Sequence, residues 1–120
     1  MIDLARLELL IRLDRGGADL LTEVLTQYLE DTSTRLISLR EALARRELKT
    51  VSEIAHSTRG ASANVGASMM AALCARVEDL AKKGDGDGCA ALATVVDGEF
   101  ERVKRALAAA LARAAGGTVR

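Results

Sequence analysis

Apolar residues recur at steps of three and four through most of this 120-residue chain. Leu21, Leu25, Tyr28, Thr32, Leu36, Leu39 and Leu43 draw one continuous stripe, which predicts a long helix over about 18–46. Val51, Ile54, Thr58, Ala61 and Val65 form the next stripe, on a helix over about 48–65 that Gly66 should stop. Met69, Leu73, Val77 and Leu80 mark a helix over about 68–83, ending at Gly84, with Lys82 and Lys83 suited to its C-terminal end. The glycine-rich run 84–88 reads as a loop, and a last helix runs over about 90–114 before a frayed tail, 116–120. Ahead of these, Asp3 can cap a short helix over 4–13 that ends before Gly16 and Gly17. No run alternates apolar and polar residues between turn signals, so no strand is expected. Long amphipathic helices joined by short breaks pack as antiparallel neighbours. The predicted fold is all-α: an antiparallel up-down four-helix bundle with a short additional N-terminal helix, one domain over 1–120.

Composition supports this and narrows the function. There is no proline or tryptophan, one tyrosine and one phenylalanine, so the core must come from Leu, Val, Ile, Met and Ala. Seventeen basic and seventeen acidic residues cancel, which argues against a nucleic-acid surface. No apolar stretch approaches the roughly 20 residues of a membrane span, and the N-terminus lacks the basic region of a signal peptide. A cytoplasmic monomer is therefore expected. Cys74 and Cys89 lack a paired spacing and read as reduced, buried thiols. Together with His56 they offer too few ligands for a zinc site. Neither a P-loop nor the glycine-rich boxes of an ATP-binding kinase are present.

The only histidine, His56, lies in the segment "EIAHSTRGASANVG". On a wheel at about 100° per residue it falls nearly opposite the stripe of Val51, Ile54 and Val65. Lys49, Ser52, Arg59, Gly60 and Ala63 surround it, which predicts an exposed imidazole in mid-helix. Its neighbours Ser52, Gly60 and Ala63 are small, and a glycine inside a helix costs up to about 1 kcal/mol relative to alanine. Gly60 strips bulk from beside the ring, and Arg59, one turn on, can meet an anion there. The wheel alone leaves two readings open. His56 is either built for chemistry or an idle surface side chain, with Gly60 merely tolerated and Arg59 merely solvating its face.

The longer segment "AHSTRGASANVGASMMAALCARVEDL" resembles the signature of histidine-containing phosphotransfer (HPt) domains. Ala55, His56, Gly60, Ser62, Gly66, Ala67, Cys74 and Glu78 match it directly. Upstream, "LLTEVLTQYLEDTSTRLISLREAL" is similar to the family's long second helix, with Tyr28 where Phe is usual. Arg59 stands in place of the usual Lys, Thr58 in place of Leu, and Met70 in place of Leu.

The resemblance implies a phosphorelay carrier. His56 would take a phosphoryl group from a receiver-domain aspartate or a histidine kinase and pass it to a response-regulator receiver. Imidazole in water titrates near pH 6.5, so its neutral, nucleophilic form is available at about neutral pH. The chain would bind no cofactor; Mg²⁺ would come with the receiver domain, and the phosphate chemistry would be completed there rather than by an enzyme site of its own. Glu78 would hold the ring nitrogen that does not take phosphate, or else form only a surface pair with Lys82. Arg59 and Gly60 would neighbour the phosphate, and Ser52 and Ala63 would complete the docking face. The expected partners are a receiver domain and a hybrid or sensor histidine kinase. The chain reads as a small stand-alone protein; the alternatives are an excised module of a hybrid sensor kinase and a helical adaptor that kept the fold without the relay.

Overall fold

The computed structural model describes the backbone of residues 18–119 and the side chains of residues 20–113. The helix expected over 4–13 lies outside the described residues. Four helices make up the described part, with no strand among them: α1 (Ala18–Ala44), α2 (Leu48–Asn64), α3 (Ser68–Lys82) and α4 (Gly86–Val119). Each consecutive pair packs together and α1 also meets α4, so the four close a ring around one apolar core.

The connectors are three residues each, and each begins as a C-terminal cap. The N–H of Glu47 reaches back to Ala42 O, that of Ala67 to Ser62 O, and that of Asp85 to Leu80 O. Each is the long 6→1 bond that closes a helix around a left-handed residue. Gly66 and Gly84 take that conformation, with φ of 79° and 80°, which glycine adopts without Cβ strain. Arg46 takes it with φ of 59°. This ends α1 at Ala44, two residues short of the expected boundary.

The glycine-rich run is shorter as a loop than its composition suggested. The Asp85 carboxylate accepts the Gly88 N–H at 2.8 Å, an N-cap that starts α4 at Gly86 instead of 90. Nor does the helix stop at 114: its backbone continues to Val119, through most of the tail expected to fray.

The α1 stripe is buried as predicted from Leu21 to Leu39. Two other faces are turned. On α2 the fully buried positions are Val51, Ser52, Ala55, Thr58 and Ser62, while Ile54 and Ala61 are only partly covered. On α3 they are Met70, Cys74, Val77, Glu78 and Ala81. Met69 is 47% exposed, and Leu73 and Leu80 flank the core. The reason is the size of the side chains. Ser52, Ala55 and Ser62 on one helix and Cys74 and Ala81 on the other allow close approach, so the α2–α3 seam is lined by small residues and the larger aliphatics sit at its edges. Two polar pairings lie inside the core, while Thr32 Oγ1 is buried there without a hydrogen-bond partner. Tyr28 Oη and Ser62 Oγ lie 2.8 Å apart between α1 and α2, and Thr58 Oγ1 donates to Ile54 O at 2.8 Å.

Candidate functional site

His56 stands at the edge of the α2–α3 seam, not in the middle of the open face of α2. Its side chain is 62% exposed. The turned packing brings Glu78 of α3, 6% exposed, beneath it. Nδ1 of His56 lies 3.1 Å from Glu78 Oε2. Lys82 Nζ donates to the same oxygen at 3.0 Å, and Arg59 Nη1 is 3.3 Å from Oε1. Glu78 thus contacts the imidazole and Lys82 at once, and because it is buried the Lys82 pair is not the surface pair that the sequence offered as the alternative.

The charge state follows from these contacts. Burial pushes the Glu78 carboxyl up, but the Lys82 hydrogen bond and the charges of Arg59, Lys82 and His56 outweigh it and hold it below the usual carboxylate value. Near neutral pH Glu78 is therefore a carboxylate and only accepts. Nδ1 must then be the nitrogen that carries hydrogen. Arg59 Nη2 is also 3.1 Å from Nδ1, but two donors do not bond one another, so in this tautomer that approach is a contact and not a hydrogen bond. Nε2 keeps its lone pair on the open side of the ring. The arrangement can present a nucleophilic nitrogen outward and receive, through Nδ1–H, the positive charge that the ring acquires when Nε2 forms a bond.

Around the ring, Gly60 and Ala63 are exposed as predicted. A Cβ added at Gly60 would meet nothing within 4 Å, so no contact within the chain requires glycine there. Two residues differ from expectation. Ser52, expected on the open face, is buried and lies across the seam from Ala81 and Lys82. Arg59, expected to reach outward over the ring, turns back toward Glu78. Sequence reasoning treated Lys82 only as a surface partner; its i,i+4 spacing from Glu78 was the available signal, and the burial of Glu78 is what raises its importance. On the α1 side of α2, exposed Leu20 and Val24 open an apolar groove of about 450 Å³ with Tyr28, Ala61 and Val65 at its walls.

Elsewhere, burial pushes the Cys74 thiol up to about 11, and burial followed by the charge of Asp85 raises that of Cys89. Both are unreactive thiols near neutral pH. Among the described residues, no group of three or more His, Cys, Asp or Glu gathers to hold a metal ion. No described helix is long and apolar enough to cross a membrane.

Comparison with known proteins points one way. A family model described as the Hpt domain matches residues 23–114. The fold is similar to the crystal structure of histidine-containing phosphotransfer protein B from Pseudomonas aeruginosa, with a TM-score of 0.86 and 28% sequence identity over 93% of this chain and 95% of that one. It is also similar in fold to a histidine-containing phosphotransfer protein from maize, with a TM-score of 0.83 and 23% identity over 98% of this chain and 86% of that one. No curated protein sequence matches the chain.

Proposed function

The chain belongs to the Hpt domain family, and from that premise we propose that it is a cytoplasmic phosphorelay carrier whose phosphoacceptor is Nε2 of His56. The observation that carries this reading is the pairing of an exposed ring with a buried carboxylate at Nδ1. Family membership supports a phosphorelay role in two-component signalling. The pairing supports the choice of atom.

The step balances simply. The Nε2 lone pair forms the N–P bond as the O–P bond to a receiver aspartate breaks, and the aspartate leaves with the electron pair as a free carboxylate. Nδ1 keeps its hydrogen, so the ring becomes cationic and Glu78 faces that charge. Reversal onto a second receiver regenerates the neutral imidazole. The receiver supplies its aspartate and its Mg²⁺; this chain supplies the aimed imidazole and a docking face. Gly60 and Ala63 leave room for the receiver's loops, and the groove at Leu20 and Val24 offers apolar contact beside them. Ser52 supports this face from beneath. Three-residue connectors between packed neighbours support an up-down antiparallel arrangement of the four helices, to which the segment 4–13 would add a short helix.

The test is transfer from a phosphorylated receiver domain in Mg²⁺. Wild-type protein should become labelled and His56→Gln should not. Undiminished labelling of His56→Gln defeats the assignment of the acceptor. A wild-type protein that no phosphorylated receiver or histidine kinase labels is the adaptor instead.

A further inference from the structure

Glu78 has more positive charge around it than an imidazole partner requires. Lys82 and His56 Nδ1 share Oε2, at 3.0 and 3.1 Å. Arg59 approaches the other oxygen, Oε1, at 3.3 Å. The two cations hold the carboxylate differently. Lys82 donates a hydrogen bond with good geometry. Arg59 does not: Oε1 is buried with no hydrogen-bond partner, so the guanidinium is near it without being bonded to it.

A phosphoryl group on Nε2 would compete for Arg59. It carries nearly two negative charges at neutral pH and offers three strong acceptors, and Arg59 is three residues from His56 on the same helix. A guanidinium that served the phosphate would leave Glu78. A buried carboxylate left with the charge of the phosphorylated ring alone would resist that departure.

We infer that Lys82 is a positioning residue that makes Arg59 available. With Lys82 on Oε2, Glu78 stays ionised and bonded whether or not Arg59 is present. Arg59 can then rest against Oε1 when His56 is bare and move to the phosphoryl oxygens when it is loaded. Without Lys82, the only other positive charge at the carboxylate is the loaded ring on Oε2, and Arg59 is retained at Oε1. This inference rests on His56 being the phosphoacceptor.

A mutant cycle separates Lys82 acting through Glu78 and Arg59 from a Lys82 that touches the receiver directly. Transfer rates from one phosphorylated receiver would be measured for wild type, Lys82→Met, Arg59→Ala, the double variant, Lys82→Arg, and Lys82→Met in a Glu78→Gln background. Lys82 is 63% exposed, so all should fold, and thermal midpoints check this. Lys82→Met should slow transfer about fivefold or more, and Lys82→Arg should stay within about twofold of wild type. Arg59→Ala should cost about tenfold in wild type but under about twofold once Lys82 is Met, because a retained Arg59 no longer serves the phosphate. In Glu78→Gln, where no carboxylate needs a cation, Lys82→Met should change the rate by less than about twofold. Independent effects of Arg59 and Lys82, or a Lys82→Met loss that persists in Glu78→Gln, overturn the inference. So does a wild-type rate in Lys82→Met. Each of these leaves the acceptor assignment standing, which falls only if His56→Gln is labelled or wild type is not.

Discussion

Replacing Glu78 by Gln and by Leu separates the two things its carboxylate does for the imidazole. Gln retains an oxygen that can accept from Nδ1–H and loses the charge. Leu fills similar space and loses both. A hydrogen bond to a charged group is worth about 1.5–3 kcal/mol and a neutral one about 0.5–1.5. The Nδ1–Oε2 separation is an ordinary 3.1 Å and the ring is 62% exposed, which places this bond toward the weak end. Losing it entirely should cost about 1.5–2 kcal/mol when Nε2 forms its bond, a transfer rate lower by about 10- to 30-fold. Keeping a neutral acceptor should limit the loss to about 0.5–1 kcal/mol, or two- to fivefold. Stability should move little in either variant. Arg59 and Lys82 are 42% and 63% exposed and rehydrate readily, and the carboxylate they surround no longer has to be buried. The assay is single-turnover transfer from a saturating phosphorylated receiver, with thermal midpoints measured alongside. A Glu78→Leu protein that transfers at the wild-type rate refutes the argument, because then neither the tautomer nor the ring charge depends on Glu78. Equal losses for Gln and Leu would assign the whole effect to charge.

Gly60 meets no neighbour, so Gly60→Ala should raise stability by up to about 1 kcal/mol in thermal unfolding. Gly60→Arg should fold equally well but block transfer; normal transfer by that variant would move the docking face elsewhere. Tyr28→Phe removes the partner of a buried Ser62 hydroxyl and should cost about 1–2 kcal/mol in denaturant unfolding. Adding Ser62→Ala should recover part of that loss, and a purely additive double variant would show that the pair does not interact. Glu78 has a folded-state pKa below its ordinary value, so its ionised form favours the folded chain. That contribution is complete above the unfolded glutamate value of about 4.3 and is lost as pH falls through the lower folded-state value. The thermal midpoint of wild type minus that of Glu78→Gln should therefore fall between pH 6 and 3; a pH-independent difference would contradict the assigned charge.

The helices and their ends were largely readable from the sequence because local chemistry sets them. The α1 stripe is seven positions of one period, and Gly66 and Gly84 occupy the left-handed cap positions glycine is suited to. Where a single side chain or a tertiary contact decided, composition misled. Asp85 turned part of a glycine-rich run into the first turn of α4, and Arg46 supplied a left-handed residue that its identity does not advertise. His56 was legible as an exposed residue with small neighbours. That Glu78 would be both buried and charged was not, since a carboxylate on an i,i+4 spacing with lysine has the same sequence whether it faces water or a seam.

The rotation of α2 and α3 explains both the misplaced Ser52 and the form of the site. A wheel weighted by hydrophobicity directs the largest aliphatics to the core and so puts His56 at the centre of the opposite face. In that position no side chain of another helix could reach Nδ1, and nothing would distinguish one ring nitrogen from the other. Packing responds to shape as well as to hydrophobicity. Ser52, Ala55 and Ser62 are poor hydrophobes, but they let α3 approach closely, and the buried face of α2 swings toward them. The same swing carries His56 to the edge of the seam, with Nδ1 at a carboxylate 3.1 Å away and the rest of the ring in water. An acceptor that must fix one nitrogen and offer the other needs that edge position. The small residues of the α2–α3 seam, none of which has a hydrogen bond to His56, are therefore what make the lone histidine chemically asymmetric.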